Sequence, residues 1–347
     1  MTDHAAEVGA IRTAVALSHE HDSQVFRLRG DGAREAAAHL CPCNVDLRTS
    51  QMRPTVLVDE RGAVIADATL ARDDDDYLLL VQGPGSLTDL VREVIGTRAE
   101  VVELSADHQL LALHGPYAWE LMEGLEGPGV AALRYLTFFH PKGGGTYFRA
   151  GKTGEFGYDL LVPEAKVAEI EARIAELGEA LGLVEVSADA VSVATRESWF
   201  FDARCPALLG RSPVELGLQW RLRYDRQGYG AEALRERRRD QARRLTAFRS
   251  DRVPASGADV ILDGAVIGEV VWAEASPTLD VVVGAALIDL PYAHSGIARF
   301  TAGGLALATV SPPFVNNQSL YVKPRRNRYA DRASLAFPGF DPETILA

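Results

Sequence analysis

The chain has 347 residues, more than one hydrophobic core usually organises, so two or three domains are expected. Apolar residues make up 47% and charged residues 24%, which excludes a wholly disordered chain, a collagen-like repeat and a coiled coil. Thirty-six Lys and Arg against 48 Asp and Glu leave a net charge of −12, a field that repels polyanions and argues against nucleic acid as a partner.

The first ten residues carry no basic segment followed by an apolar one, and no later stretch reaches ~18 uninterrupted apolar residues. The expectation is a soluble, cytoplasmic protein with no membrane partner. Alternating polarity predicts strands over 24–28, 55–59 and 77–81, with a helix over 31–40 between the first two. Residues 64–70 form a further strand candidate. The acidic run Asp73-Asp74-Asp75-Asp76 after it reads as a solvated hairpin turn, since four consecutive turn residues cannot converge on one metal ion.

Residues 109–113 read as a strand, and Gly115-Pro116 marks a turn into a helix over 117–125. Val167, Ile170, Ile174, Leu177 and Leu181 recur at steps of three and four, the pattern of an amphipathic helix. After the arginine-rich stretch 234–244 the pattern changes to short strands broken by Gly and Pro, at 260–262, 266–271, 281–288 and 306–310. That shift predicts a mixed α/β (α+β) region over 1–240, a small β-barrel or sandwich over 241–330, and a tail over 331–347.

Cys41, Cys43 and Cys205 are odd in number, and Cys41 and Cys43 are too close for an easy bridge, which fits a reducing compartment. A lone Cys-x-Cys without a His pair argues against structural zinc, and no metal site is expected. Gly151-Lys152-Thr153 has the ending of a phosphate-binding loop. However, the position five before Gly151 is Thr146, and the following residues 156–162 read as a strand, not the helix whose N-terminus would hold phosphate.

Taken whole, Gly151-Lys152-Thr153-Gly154-Glu155-Phe156-Gly157-Tyr158-Asp159 resembles the Gly-Tyr-Thr-Gly-Glu-x-Gly-aromatic-acid motif of the glycine-cleavage T-protein family, folate-dependent aminomethyltransferases and their demethylase relatives. Ser212-Pro213-Val214-Glu215-Leu216-Gly217-Leu218-Gln219-Trp220 and Gly230-Ala231-Glu232-Ala233-Leu234 are similar to later family stretches. Leu111-Ala112-Leu113-His114-Gly115-Pro116 upstream, and the blocks around 257–268 and Ser276-Pro277-Thr278-Leu279 downstream, follow in order. The resemblance implies a T-protein-type folate-binding α/β region, a C-terminal β-barrel and tetrahydrofolate in a central cavity.

The resemblance also implies site residues. Asp67 falls on the second acid of the family's Gly-Gly-Ile-x-Asp-Asp, where it would orient the amine or sulfur of the substrate. Glu197, sixteen before Pro213, falls on the glutamate that grips the pterin, a task suited to a carboxylate facing paired N–H donors. Arg223 and Arg226, with Arg221, stand where arginines would take the folate's glutamate tail. Tyr158 in the turn motif, and Gln82 at the place of a folate-contacting asparagine, complete the candidate cofactor contacts.

Departures from the family pattern fall around the same site. Ala66 replaces the first acid, Gln82 the asparagine and Lys152 the tyrosine of the turn motif. They point away from a plain T-protein acting on a lipoylated carrier, and toward a specialised relative moving a one-carbon unit between tetrahydrofolate and a small methylated substrate. A folate-binding accessory protein without transfer activity is the rival, although the Lys-Gly-Cys-Tyr-x-Gly-Gln-Glu motif of that branch is absent and Cys205 is followed by Pro206. A fold repurposed for folate-independent chemistry is a further alternative.

Overall fold

The computed structural model describes residues 4–335 and 337. Most of the tail expected over 331–347 lies outside the described residues. In chain order the elements begin with α1 (Ala5–Thr13), β1 (Val15–His19), β2 (Ser23–Arg29) and α2 (Ala33–Leu40). Next come β3 (Met52–Val58), β4 (Val64–Asp73), β5 (Asp76–Gln82), α3 (Thr88–Ile95), β6 (Glu100–Glu103) and β7 (His108–His114). The chain continues through α4 (Ala118–Glu126), β8 (Thr137–Phe139), β9 (Thr146–Arg149), β10 (Gly157–Pro163), α5 (Val167–Glu179), β11 (Leu183–Glu185), α6 (Ala188–Glu197) and α7 (Ala231–Arg239). Six strands follow: β12 (Arg243–Ser250), β13 (Asp259–Leu262), β14 (Ala265–Ser276), β15 (Val281–Asp289), β16 (Phe300–Ala302) and β17 (Leu305–Thr309).

Two sheets build the α/β part. One has the order β11-β1-β7-β10-β9-β8 and the other β3-β4-β5-β2-β6. The predicted β-α-β opening is present as β2, α2 and β3, but β4 and β5 lie between the two strands in the sheet. The sheets face each other. Val25, Met52, Leu78 and Leu80 from one pack on Phe138, Phe148 and Leu161 from the other, while α2 and α3 cover the outer face of the first and α4 and α5 that of the second. This explains the unbroken apolar run Leu78-Leu79-Leu80-Val81: alternate side chains point to the inter-sheet layer and to the helices, so both faces of β5 are buried.

The acidic run forms the β4–β5 hairpin turn, with Asp74 in the left-handed region at φ 53°. Its outer members are more than solvated: Arg27 bridges Asp73 at 2.8 Å and Asp76 at 3.2 Å, and His140 Nε2 meets Asp73 at 3.0 Å. The final six strands close into a barrel of order β12-β15-β14-β13-β16-β17, with β17 returning to β12 through Phe248 and Thr309. Among the described residues, no helix is long and apolar enough to cross a membrane.

One buried node ties these parts together. Arg12 on α1 donates to Glu197 on α6 at 2.8 Å, to the carbonyl of Ala194 at 2.9 Å and to Asn317 at 3.0 Å, and also to the carbonyl of Thr153 in the turn motif. Glu197 in turn accepts from Ser276 at the end of β14 and from Thr278 Oγ1 at 2.7 Å, so its carboxylate joins the α/β part to the barrel.

Candidate functional site

A cavity of about 230 Å³ opens between the two sheets. Met52, Leu80, Val81, Leu110 and Leu136 form its apolar walls, and the chain following α6 supplies Phe200 and Asp202. Trp220 and Arg221, from a short 3-10 turn, close one side. An adjoining chamber of about 300 Å³, lined with Trp199, Trp272 and Pro313, shares Phe200, Trp220 and Arg221 with the first.

Asp67 on β4 and Gln82 on β5 are cross-strand partners, so the pleat sets both at one place on the cavity wall. Asp67 is buried between two cations: Arg221 Nη1 donates to its Oδ1 at 2.7 Å, and Lys152 Nζ pairs with its Oδ2. Lys152 also donates to Gln82 Oε1 at 3.0 Å, and Gln82 Nε2 reaches Glu20 at 3.2 Å. Glu20 is itself held by Arg204, which also grips Asp22 at 2.7 Å, and by Ser18 Oγ at 2.7 Å. Because the Ser18 hydrogen goes to Glu20, the 2.9 Å contact between Ser18 and His114 places the imidazole proton on Nε2 as donor.

The electrostatics separate two cavity carboxyls. Burial pulls the Glu20 carboxyl upward, but Arg204, His114 and the Ser18 hydroxyl more than offset it, and the net is a lowered pKa. Asp159 on β10 has no such partners. Burial and then the charge of Glu20 push it up to about 7, against a smaller pull from Lys152. Burial likewise drives His114 down to about 4, so it is neutral near pH 7.

Three of the expected site residues, Asp67, Gln82 and Arg221, therefore meet at the cavity, and four others sit elsewhere. Glu197 is fully buried outside the cavity lining, with both oxygens taken by Arg12, Ser276 and Thr278. Tyr158 points into the core and stacks against the Arg149 guanidinium, 4.7 Å from its ring centroid. Arg223 is on the surface, paired with Asp225 at 2.9 Å. Arg226 is spent on backbone carbonyls, among them Tyr229 at 2.6 Å and Ala38 at 3.2 Å. Sixteen-residue spacing carried Glu197 onto a family position, but spacing does not say which way a side chain turns at the end of α6.

The cavity residues missed by sequence reasoning are Glu20, Asp159, Asp202 and Arg204, together with Lys152, which the motif marked only as a departure. A signal existed for two of them. Lys152 lies in the Gly-rich turn between β9 and β10 and Asp159 at the start of β10, and that turn delivers both to the cavity. Its shape depends on Gly154, which has φ 82° and whose Cβ would collide with Asn317 and the Ser198 hydroxyl. Gly154→Ala is expected to cost about 1–3 kcal/mol from backbone strain alone, read as a lowered thermal midpoint; an unchanged midpoint would show that the turn relaxes freely.

A family profile described as the GCVT N-terminal domain matches residues 1–226. An aminomethyltransferase of Parafrankia sp. is 30% identical over 327 residues, covering 90% of this chain and 88% of the relative. An aminomethyltransferase of Halothermothrix orenii is 28% identical over 286 residues, covering 79% and 80%. In fold, the crystal structure of glycine cleavage system aminomethyltransferase T from Bartonella henselae superposes with a TM-score of 0.79 at 21% identity, covering 90% of this chain and 89% of that one. With the profile spanning well over half the sequence, and including the turn that carries Lys152 and Asp159 into the cavity, the chain belongs to the glycine-cleavage T-protein (aminomethyltransferase) family.

Proposed function

We propose that the protein is a one-carbon transferase that moves a methyl, methylene or aminomethyl group between a small substrate and tetrahydrofolate. The observation that carries this reading is the inter-sheet cavity itself: apolar walls, an ordered set of charges, and three polar groups left without partners among the described residues. Those are the Asp159 carboxyl, the buried Arg221 Nε and His114 Nδ1. Together with the adjoining aromatic chamber they suit a long ligand with a flat polar head, and so fit tetrahydrofolate. Bound there, the cofactor would supply an amine that carries the one-carbon unit.

On this reading Gln82 and Arg221 orient the polar head, and Phe200 and Trp220, shared by both chambers, hold the flat parts. Apolar walls exclude water from the reacting atoms. Asp67 acts through its two cations: its charge fixes Lys152 and Arg221 in place, and the ammonium and guanidinium present donors to the substrate. That arrangement favours a small substrate with an acceptor group over the arm of a lipoylated carrier.

The test is calorimetric titration of tetrahydrofolate into the wild type and Trp220→Ala, with formation of 5-methyl- or methylene-folate followed over a panel of N-, O- and S-methyl donors. Trp220 is 66% exposed, so its removal leaves the fold intact. Binding weakened at least tenfold, about 1.4 kcal/mol, supports the reading. No heat at millimolar folate overturns it. The clamped Asp67 and the saturated Glu197 favour a second reading, in which the same cavity performs chemistry without folate. Wild-type silence in the titration would select that one.

A further inference from the structure

Within the proposed transfer reading, we infer that Asp159 is the acid–base residue of the cavity and that Glu20, the ion-paired acid lining the same cavity, is the positioning residue that acts on it. Asp159 lies on β10, is half-buried and lines the cavity. Neither carboxyl oxygen has a hydrogen-bond partner among the described residues. Every other acid lining the cavity is bonded: Asp67 to Lys152 and Arg221, Glu20 to Arg204, Ser18 and Gln82, Asp202 to Arg196 at 2.6 Å. A buried carboxyl with nothing to stabilise its charge holds its proton.

The groups that face it are few. From the turn after β1 comes Glu20, whose carboxyl is held below its usual range, against burial, by its ion pair with Arg204, and its field opposes a second negative charge nearby. From the β9–β10 turn comes Lys152, whose charge acts the other way but is largely taken up by Asp67. His114 on β7 is neutral, and the Tyr135 hydroxyl donates to the Gly151 carbonyl at 3.1 Å. Two carboxyls in one cavity, one fixed as an anion and the other kept as an acid, divide the roles as acid–base enzymes do.

The step balances without an oxidant or a metal. As the bond between the donor's heteroatom and the departing carbon breaks, Asp159 gives its proton to that heteroatom. A new bond forms between the carbon and an amine nitrogen of the acceptor. That nitrogen's N–H proton returns to Asp159, so the residue ends as it began. The acceptor is required only to be a neutral amine with one N–H.

Difference infrared titration of the full ligand-free protein reads the protonation directly. The protonated-carboxyl band should disappear with a midpoint close to pH 7, be missing in Asp159→Asn, and move down by at least about one pH unit in Glu20→Gln. It should move up in Lys152→Met. A midpoint below about pH 5, or a band that survives in Asp159→Asn, overturns the inference whatever the turnover. Product formation over the donor panel supplies the second measurement. Asp159→Asn should lower kcat at least about a hundredfold with KM for the donor within about threefold, and lose the wild type's decline above pH 7. Asp159→Asn retaining more than about a third of wild-type kcat also overturns it. A wild type with the band at pH 7 but no turnover of any donor counts against the transfer reading, and with it the transfer step, while leaving the protonation of Asp159 established.

Discussion

Glu197→Ala should destabilise the protein by about 3–5 kcal/mol, the cost of leaving one member of a buried ion pair without its partner. The structure gives the reason. Among the described residues, Arg12 has one carboxylate partner within hydrogen-bonding distance, Glu197, since Glu155 is 4.0 Å away. Removing Glu197 leaves the guanidinium buried beside backbone carbonyls and strips Ser276 and Thr278 of their acceptor, so the α/β part and the barrel lose a shared anchor. At about 2–4 °C per kcal/mol for a chain of this scale, the thermal midpoint should fall by roughly 10 °C. Replacing both partners, as in Arg12→Met with Glu197→Met, should recover much of the loss because no uncompensated charge remains. A residue reserved for gripping a ligand would behave oppositely: its loss would leave the midpoint unchanged and cost affinity. Thermal unfolding of the wild type and the two variants separates the two, and an unshifted midpoint in Glu197→Ala sinks the anchoring role.

The same residue shows where sequence reasoning stops. Period and spacing located β2, β4, β5, β7, α4, α5 and most of the barrel, because each carries an unbroken apolar pattern that only one secondary structure can bury. Elements without that pattern went unseen: α1 is mostly alanine and polar residues, β16 has three residues, and β12 is masked by the arginines that precede it. The helix α6 had a local signal in Ser187, whose hydroxyl accepts from the Ala190 N–H as an N-cap. The resemblance placed Asp67 and Gln82 on the cavity, since adjacent antiparallel strands leave little freedom in where a side chain points. It carried Glu197 and Arg226 to family positions on a helix end and in a loop, where direction is decided by partners far away in sequence: Arg12 at 185 positions' distance, the Ala38 carbonyl at 188; Arg223, in the same loop, is turned to the surface by Asp225 two residues on.

The departures become coherent once they are seen in space. Lys152 and Gln82 each replace a family residue, and they are bonded to each other at 3.0 Å. Lys152 then closes on Asp67, the position next to the missing acid at Ala66. With one acid gone and one cation gained, this wall of the cavity has shifted by two units toward positive charge relative to the family pattern. Glu20, reached by Gln82 at 3.2 Å, is the anion at the other end of this network, and its charge bears on Asp159 in the same cavity.

The burial of Asp159 beside that anion has a cost that depends on pH, and it yields the second large expected effect. The folded-state pKa of Asp159, about 7, lies above its ordinary value of 3.8, so between these limits the native state binds more protons than the unfolded chain. Stability attributable to this group is therefore fully present below about pH 4 and is lost as pH rises toward 7. At about 1.4 kcal/mol per unit, the loss approaches 4 kcal/mol as an upper limit. His114 works in the opposite sense: its folded value of about 4 lies below 6.5, so its contribution grows as pH rises through that window. The two slopes oppose each other between about pH 4 and 6.5, and the wild type should change little in stability there. Asp159→Asn removes the falling slope and keeps the rising one. The variant should unfold at a clearly higher temperature than the wild type at pH 8, with the gap shrinking toward nothing near pH 4. Equal midpoints at pH 8 would mean that the Asp159 carboxylate is solvated after all, whereas a gap that opens between about pH 4 and 7 and stays open above it would identify the cost of an unpaired buried charge kept in the cavity for use.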